Sequence, residues 1–444
     1  MAHLENSLNE QVSYLSKKFL EQKENSLVIV SHFDTDGISS AAIMVQALKK
    51  LDIPFTLKIT KNLEKDFIRS LPKDKTIMFL DLASNSFEYI KEEKLKRVFI
   101  IDHHEISKEI PENVEILNPQ LYKKQKISSS GLVYLFCKEL DESNKRYAKL
   151  AVLGMVGDQL EKDIGKLNNN ILEDGEIKRK RGLLIYPSTR PLNRVLEYCS
   201  HPFIPGVTGD AKGVIELLRE TNLSPKSGKY KSIMELTEEE MEKLITGIML
   251  RSPKAKYDSI IGDIFLLKLY NKLEDAREIS AIVNACSRFG DSNSALQFLM
   301  EIPSAKKNAE AIHIKYKQQL VSALKFVNDT KKISGKGYVI INARDNIRDT
   351  MAGTVASILS NSSLYEEGTI IVTMSYYEKN IKISGRVVGR TGKNIRGILA
   401  NIINDLDGEV GGHEFAAGAI ISQKKEKEFI DLLKKSFEVE MVKI

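Results

Sequence analysis

The sequence predicts an α/β protein with a parallel sheet in its N-terminal part and a smaller α/β domain at its C-terminus. Short apolar runs alternate with amphipathic segments over residues 1–160, helical patterns dominate residues 200–330, and strand and helix patterns alternate again beyond them. Such alternation is typical of parallel strands that are covered by helices on both faces. The helical stretch is expected to link the two α/β parts.

Length and composition exclude several classes of protein. A chain of 444 residues is too long for one core, so two or three domains are expected. No apolar run approaches the roughly 18–20 residues that cross a membrane, so no membrane partner is expected. The three cysteines lie far apart, which suits a reducing, cytoplasmic setting. The net charge of +6 is compatible with a polyanionic partner.

The apolar pattern places each element along the chain. We expect N-terminal strands at "SLVIVS", "FTLKI", "TIMFLDL", "RVFIID" and "NVEILN", with helices over 38–50, 63–70, 87–95, 129–140 and 145–160. The charged run "KRKRG" at 178–182 is interpreted as a solvated loop or helix face, and residues 200–300 as mostly helical. A long helix over 305–329 precedes the break "KKISGKG", followed by strands at "GYVIIN", "GTIIVTM" and "NIKISGRVV" and helices near 349–360, 393–406 and 424–436. The predicted domains are therefore 1–200, 201–330 and 331–444.

The segment "VIVSHFDTDGISSAAIM" ends a strand on polar residues and continues at once into a helix. His32, Asp34 and Asp36 stand at this junction. Ligands bind at the carboxyl ends of strands in open α/β sheets, and a divalent cation would relieve the repulsion between two close carboxylates. Aspartate is also a preferred N-cap residue, so the segment alone leaves metal binding and helix capping open.

Other strands deliver similar residues. Asp81 follows "TIMFL", Asp102, His103 and His104 follow "VFII", and Asp158 follows an apolar, helix-like stretch. Because the carboxyl ends of parallel strands meet at one edge, these side chains are expected to converge and to hold two metal ions. Singly, each aspartate is explained equally well as a cap, and each histidine as an ordinary core or surface residue. The predicted ligands are His32, Asp34, Asp36, Asp81, His103 and Asp158.

These segments resemble the four motifs of the DHH phosphoesterase superfamily. They are "SHFDTDGISSAA", the lone Asp81, "DHH" at 102–104 and "GDQ" at 157–159. "GGHEFAAG" at 411–418 resembles the signature of the DHH-associated C-terminal domain, and "VNACSRFGDSNSALQFL" at 283–299 resembles the "NA-x-GR" segment of RecJ-type exonucleases, especially the archaeal ones. The motifs occur in the family's order along nearly the whole chain.

The resemblance implies two Mn²⁺ ions, with Mg²⁺ as the other candidate. It assigns His32 and Asp34 to one ion, Asp36, His103 and Asp158 to the other, and Asp81 to both. His104 would stabilise charge or act as a general acid, or else support the ligands. A histidine at position 32, where bacterial RecJ has aspartate, favours Mn²⁺ over Mg²⁺. Five further residues are expected to bind substrate phosphates: Arg288, Arg386, Gly411, Gly412 and His413.

The function expected from this resemblance is a metal-dependent exonuclease that acts on single-stranded DNA or RNA in replication or repair. The cleft between the domains would thread the strand, and replication or repair proteins are candidate partners. One alternative is a small-substrate phosphodiesterase that acts on nanoRNA, cyclic dinucleotides or adenosine bisphosphate, although such enzymes lack the 160–330 segment. Another is a non-catalytic replication-complex subunit, although proteins of that kind lose metal ligands and this chain keeps all six.

Overall fold

A computed structural model describes residues 7–21, 27–106, 108–122, 125–162, 164–199, 202–225, 227–252, 257–362, 364–404, 406 and 408–439. The chain divides into two compact units, one of residues 1–181 and 263–314 and one of residues 182–262 and 315–444. The middle of the chain is thus shared between both units. The three predicted domain ranges remain predictions.

The first elements of the chain alternate as predicted. In chain order they are α1 (Leu8–Leu20), β1 (Leu27–His32), α2 (Thr35–Lys50), β2 (Phe55–Thr60), α3 (Lys65–Arg69), β3 (Thr76–Leu80), α4 (Phe87–Glu92), β4 (Arg97–Ile101), β5 (Val114–Leu117), α5 (Ser129–Leu140), α6 (Ala148–Gly157), α7 (Lys166–Asp174) and β6 (Lys178–Leu183). Side-chain caps fix several helix starts; the hydroxyl of Ser128, for example, accepts a hydrogen bond from the first turn of α5.

A parallel five-stranded sheet forms the centre of the first unit. Its order is β2-β1-β3-β4-β5, and every neighbouring pair is parallel. The central strands β1, β3 and β4 are almost wholly buried, which explains why their sequences are continuous apolar runs. One apolar cluster joins the sheet to α1, α2, α5 and α6, and another joins its opposite face to α3 and α4. The predicted parallel sheet with helices on both faces is confirmed.

The remaining elements include a hairpin that the sequence did not reveal. In chain order they are α8 (Leu192–Glu197), α9 (Ala211–Glu220), α10 (Glu238–Arg251), α11 (Tyr257–Ile260), β7 (Ile261–Leu269), β8 (Lys272–Asp275), α12 (Ala276–Arg288), α13 (Ser292–Leu299), α14 (Pro303–Asp329), β9 (Ile333–Gly335), β10 (Tyr338–Arg344), α15 (Asp349–Ser360), β11 (Ile370–Tyr377), β12 (Asn380–Val387), α16 (Ile395–Ile403), β13 (Glu409–His413), β14 (Ala416–Ser422) and α17 (Glu426–Val439).

One interpretation of the middle region was wrong, and another overlooked a hairpin. The "KRKRG" run is strand β6, at the edge of a sheet of order β6-β7-β8, and not a loop or a helix face. An exposed edge strand accommodates its lysines and arginines, because charged side chains there remain in water. Residues 261–275 form the β7–β8 hairpin within a region predicted to be mostly helical. Its two turn residues, Tyr270 and Asn271, both have positive φ, as a tight hairpin turn requires.

The C-terminal part contains a six-stranded mixed sheet of order β13-β14-β12-β11-β10-β9. Only β10 and β11 are parallel in this sheet. An apolar cluster joins one face to α16 and α17, and another joins the opposite face to α15 and the second half of α14. The "GGHEFAAG" segment forms the β13–β14 hairpin rather than an irregular turn.

The predicted long helix is α14, which begins at Pro303 and spans 27 residues. The division between the two units falls within it, between Ile314 and Lys315. Leu320, Leu324 and Val327 contribute to the apolar cluster of the C-terminal sheet. None of the described helices, α14 included, combines the length and the apolar composition needed to cross a bilayer.

Candidate metal centre

The carboxyl edge of the five-stranded sheet brings the polar motif residues together. His32 is the last residue of β1, Asp81 follows β3, and His103 lies two residues beyond β4. These strands are adjacent and parallel, so their ends meet at one edge. Asp158 follows the C-terminus of α6, a helix that packs on α2 and α5. The predicted convergence of these side chains is therefore found in the structure.

The six candidate ligands form two groups. Within each group, the ligand atoms lie within 4.8 Å of one another. One group contains His32, Asp34 and Asp81, and the other contains Asp36, His103 and Asp158. Asp81 also lies in a group with His103 and His104. This partition matches the one that motif positions imply, although the identity of these residues as metal ligands stays a prediction.

Asp81 stands between the two groups. Its Oδ2 lies 3.3 Å from Nδ1 of His32, and its Oδ1 lies 3.6 Å from Nε2 of His103. The residue has φ +62°, a left-handed conformation that costs energy for a non-glycine residue and is common at functional sites. The strained backbone therefore holds one carboxylate with an oxygen directed toward each group.

Two buried carboxylate oxygens fit a cation. Oδ1 of Asp81 and Oδ2 of Asp158 are buried and accept no hydrogen bond from any described residue. Burial, together with the charges of Asp36 and Asp34, raises the pKa of Asp81 well above its usual range and that of Asp158 to about 10. A cation would supply the positive charge that these oxygens lack. Carboxylate oxygens mixed with imidazole nitrogens suit Mn²⁺, and Mg²⁺ less well.

Asp34 is both an N-cap and a candidate ligand. It caps α2, where one of its oxygens accepts a hydrogen bond of 3.0 Å from the backbone N–H of Gly37. The other oxygen lies 3.1 Å from Nδ1 of His32. Burial would raise the pKa of Asp34, but the hydrogen bond and charge of His32 lower it below its usual range. The two interpretations of this residue are therefore compatible.

Asp36 is held by the N-terminus of α5. Its two oxygens accept hydrogen bonds of 2.7 and 3.0 Å from the backbone N–H groups of Ser129 and Ser130. A helix N-terminus favours a negative charge. A Cβ at Gly154 in α6 would come within 2.0 Å of Oδ1 of Asp36, so only glycine lets these helices approach so closely. Asp36 is thereby fixed beside Asp158.

Asp102 orients His104, a role that the sequence analysis did not assign. This fully buried carboxylate accepts a hydrogen bond of 2.7 Å from Nδ1 of His104, and others from the backbone N–H groups of Ser84, His103 and His104. The hydrogen bond that His104 donates to Asp102 raises the pKa of His104. Burial opposes ionisation of Asp102, but His104 lowers the pKa of that carboxyl to about 2. The position of Asp102 at the start of "DHH" was the available signal.

Asn118 supports the same turn. Its buried side-chain amide donates to the hydroxyl of Ser84 at 3.0 Å and to the backbone carbonyl of His104 at 2.9 Å. Ser84 is the residue whose backbone N–H binds Asp102. The amide therefore ties the end of β5 to the turn that carries both histidines.

Helix α12 packs beside the first motif. The hydroxyl of Thr35 donates to the carbonyl of Ser280 at 3.1 Å and accepts from the hydroxyl of Ser280 at 3.0 Å. Ser287, where the family motif has glycine, is buried in α12, and Arg288 is exposed in its last turn. The described ligand groups do not include Arg288, whose role in substrate binding stays a prediction.

Two predicted phosphate-binding residues of the C-terminal sheet, His413 and Arg386, share one face. His413 lies opposite Ala416, which lies opposite Arg386 on the next strand, so all three side chains project from the same side. Strand spacing places His413 and Arg386 about 10 Å apart. Gly412, with φ +116°, lies so close to the carbonyl of Ala416 that a Cβ there would come within 2.5 Å of it. Gly411 and Gly412 precede His413 on the same strand, and a side chain at position 412 would clash with the neighbouring strand.

Arg386 is partly buried among neutral groups. Its Nε donates to the hydroxyl of Ser357 at 3.0 Å, and its Nη1 donates to the carbonyl of Gly385 at 2.8 Å. Burial lowers the pKa of Arg386. An anion at this face of the sheet would stabilise the guanidinium.

Three family models match the chain in succession. Residues 26–155 match the N-terminal domain of the DHH family, residues 185–259 match the DHH-CID domain, and residues 335–438 match the DHHA1 domain. An uncharacterized protein of Methanocaldococcus jannaschii, MJ0831, is 25% identical over 440 residues, which cover 95% of both chains. A putative single-strand DNA-specific exonuclease of Bacillus subtilis, YorK, is 28% identical over 152 residues, or 30% of this chain and 26% of that protein.

Solved structures share the fold. A crystal structure of exonuclease RecJ bound to manganese has a TM-score of 0.62 at 16% identity, covering 97% of this chain and 94% of the other. The crystal structure of CDC45 from Entamoeba histolytica has a TM-score of 0.70 at 13% identity, covering 97% and 98%. The chain therefore contains DHH, DHH-CID and DHHA1 domains in succession and has a RecJ-like fold.

Proposed function

We propose that this protein is a metal-dependent exonuclease that hydrolyses phosphodiester bonds of single-stranded DNA or RNA. The observation that carries the proposal is the Asp81 carboxylate, whose two oxygens face two separate groups of candidate ligands. Two cations that share one carboxylate form the arrangement used for in-line displacement at phosphorus.

Each side chain has a distinct part in this proposal. His32 and Asp34 would hold one cation, Asp81 would contact both, and the second cation would have three ligands of its own: Asp36, His103 and Asp158. Bound there, two Mn²⁺ ions would activate a water nucleophile at neutral pH and offset charge on the phosphate. The N-terminus of α5 keeps Asp36 in place, and Asp81 and Asp158 give up their protons on loading.

His104 is suited to proton donation. Its Nδ1 is bonded to Asp102, which leaves Nε2 as the nitrogen that can face a phosphate oxygen. The same hydrogen bond raises the pKa of His104 and so favours the protonated ring. As the P–O bond breaks, a protonated His104 stabilises the leaving oxygen or transfers its proton to it. Its half-exposed side chain gives substrate access to the ring.

The C-terminal sheet would bind the rest of the strand. Arg386 supplies positive charge and His413 supplies a ring N–H on one face, and Gly411 and Gly412 supply backbone that a phosphate can approach closely. Arg288 is proposed as a further phosphate contact. The names of the relatives support a nucleic-acid substrate, since one is called a single-strand DNA-specific exonuclease and another is exonuclease RecJ. A role in DNA replication or repair is part of the same proposal.

Digestion of end-labelled oligonucleotides tests the proposal. Single-stranded DNA and RNA carrying 5′ or 3′ labels would be incubated with Mn²⁺, Mg²⁺ or EDTA. We expect stepwise shortening from one end that EDTA abolishes and that Asp81→Asn lowers by at least about a hundredfold, because both cation sites lose a ligand. Asp74→Asn, a change at an exposed position of the same unit, should leave the rate unaltered. Hydrolysis confined to dimers and trimers would instead identify a small-substrate phosphodiesterase.

A non-catalytic subunit of a replication complex is the second candidate. The likeness to CDC45 over nearly the full length of both chains favours it. Retention of all six candidate ligands in two tight groups favours catalysis. If no cation supported hydrolysis while the protein still bound single strands and co-purified with replication proteins, the second candidate would replace the first.

A further inference from the structure

An aromatic side chain lies directly beside the metal centre without an evident packing role. Phe33 stands between the candidate ligands His32 and Asp34, and its ring meets the His32 ring edge-on, with centroids 5.1 Å apart. The residue is only partly buried. It belongs to neither of the two described apolar clusters that cover the five-stranded sheet. A partly exposed phenyl ring at this position keeps apolar surface in water next to the proposed chemistry.

A nearby phenylalanine, Phe67, packs differently from Phe33. Phe67 of α3 also lies under a lysine, with Nζ of Lys58 5.7 Å from its ring centroid. Phe67, however, packs against the apolar cluster beneath the sheet, so core packing accounts for it. Packing within the described clusters does not account for Phe33 in the same way.

A lysine at the end of the neighbouring edge strand completes the feature. Strand β2 ends at Thr60, which pairs with His32, so Lys61 emerges beside the metal centre. Lys61 is exposed, and its Nζ lies 5.9 Å from the centroid of the Phe33 ring. From the sheet edge, the long side chain of Lys61 can reach a phosphate while a planar group of the same ligand contacts the Phe33 ring.

We propose that Phe33 and Lys61 form a nucleobase subsite. The base of the nucleotide next to the scissile phosphate stacks on Phe33, and Lys61 contacts a phosphate oxygen of the same strand. This inference rests on the proposed function and specifies part of its substrate. Stacking on an aromatic ring tolerates any base, whereas bound inorganic phosphate or pyrophosphate would gain nothing from the ring. The subsite therefore requires a base-bearing, unpaired nucleotide.

Removal of the ring and removal of the base test the subsite together. Rates would be measured for wild type, Phe33→Ala, Phe33→Leu and Phe33→Trp on a single-stranded oligonucleotide and on versions with one abasic spacer at successive positions from the digested end. Each stacked base contributes about 1–3 kcal/mol, or roughly 5- to 150-fold. We expect kcat/KM of the wild type to fall by about tenfold at one spacer position, with most of the change in KM. Phe33→Ala should fall similarly on the intact strand and show no further loss with that spacer, and Phe33→Trp should retain activity.

Controls separate this role from support of His32. Tyr89→Leu removes an exposed aromatic of the same unit and should behave as wild type on every substrate. If Phe33 only supported the metal ligands, Phe33→Ala would weaken Mn²⁺ binding in calorimetry and slow intact and abasic strands equally, which would overturn the subsite. Lys61→Met should weaken single-strand binding and reduce its salt dependence by about one phosphate contact; an unchanged slope would count against the role of Lys61.

Failure of the subsite can be told apart from failure of the proposed function. If wild type digests strands but the decreases in kcat/KM caused by Phe33→Ala and by the spacer multiply, the two changes act independently. The subsite is then wrong and the proposed exonuclease activity stands. If wild type digests nothing, anisotropy with the same oligonucleotides in Ca²⁺ still measures binding. Loss of binding that is shared by Phe33→Ala and by one spacer position would then support the subsite without the hydrolase. Equal binding of all variants to all strands would overturn it.

Discussion

Asp158→Asn should make the cation-free protein more stable at high pH. Burial and the charges of Asp36 and Asp34 raise the pKa of Asp158 to about 10, whereas an aspartate in an unfolded chain has a pKa near 3.9. Between these values the folded protein binds more protons than the unfolded chain. Stability therefore falls as pH rises through this window. Asparagine has no proton to lose, so the variant lacks this contribution.

The expected size of the stability difference follows from the slope of the unfolding free energy against pH. One group of this kind changes the free energy of unfolding by about 1.4 kcal/mol per pH unit within the window. Between pH 6 and pH 8 in EDTA, wild type should therefore lose about 3 kcal/mol relative to Asp158→Asn. With saturating Mn²⁺ this difference should become much smaller, because a ligand at a hundred times its dissociation constant stabilises wild type by about 2.7 kcal/mol and the variant binds it less well.

Urea unfolding at pH 6, 7 and 8 measures this difference, with and without Mn²⁺. Asp74→Asn is the matched control, since it makes the same chemical change at an exposed position and should follow wild type at every pH. Parallel pH profiles of wild type and Asp158→Asn in EDTA would refute the reasoning. That result would mean that Asp158 is already ionised in the folded, cation-free protein.

Four further results are expected. Mn²⁺ binding near neutral pH should release protons, because carboxyl groups with raised pKa must ionise; calorimetry in two buffers of different ionisation enthalpy should then give different heats, and equal heats would contradict this. Gly154→Ala would force a Cβ onto Oδ1 of Asp36 and so displace a candidate ligand. Mn²⁺ binding should weaken by at least about tenfold, as it does when groups that orient metal ligands are removed. Unchanged affinity in the same calorimeter would count against the packing argument. Asp102→Asn should lower the pKa of His104, reduce kcat by about 10²–10⁴-fold as loss of acid catalysis does, and move the alkaline limb of the pH–rate profile to lower pH, with Mn²⁺ affinity kept. Thr35→Val loses its hydrogen bonds to α12 and should destabilise the protein by about 1–3 kcal/mol in urea unfolding, whereas Thr35→Ser should not.

The sequence predicted the sheet and the convergence of the candidate ligands because both follow from local patterns. Asp81 and His103 each follow a continuous apolar run, and parallel strands bring such ends to one edge. The β7–β8 hairpin was missed because a short apolar run is compatible with a buried strand and with a buried helix. Its turn at Tyr270 and Asn271 lacks the glycine that usually marks one.

Long-range contacts explain what else could not be predicted. The hydrogen bonds from Ser129 and Ser130 to Asp36 cross 93 and 94 positions of the chain. The sequence alone assigns no role to Phe33, and only its exposure beside Lys61 distinguishes it. A sequence pattern gives the face of an element, whereas contacts of this kind depend on how distant elements pack.

The four clustered carboxylates divide into two kinds, and the division shows how the fold accommodates so much negative charge. Asp34 caps α2 and Asp36 lies at the N-terminus of α5, so backbone N–H groups and helix dipoles stabilise both charges. Asp81 and Asp158 each have a buried oxygen that accepts no hydrogen bond from the described residues, and they are the two whose pKa is raised. Beyond the neighbouring imidazoles of His32 and His103, a proton or a cation would stabilise these last two charges. Because Asp81 faces both candidate ligand groups, we expect its ionisation in the proposed two-cation site to couple the loading of one cation to the loading of the other.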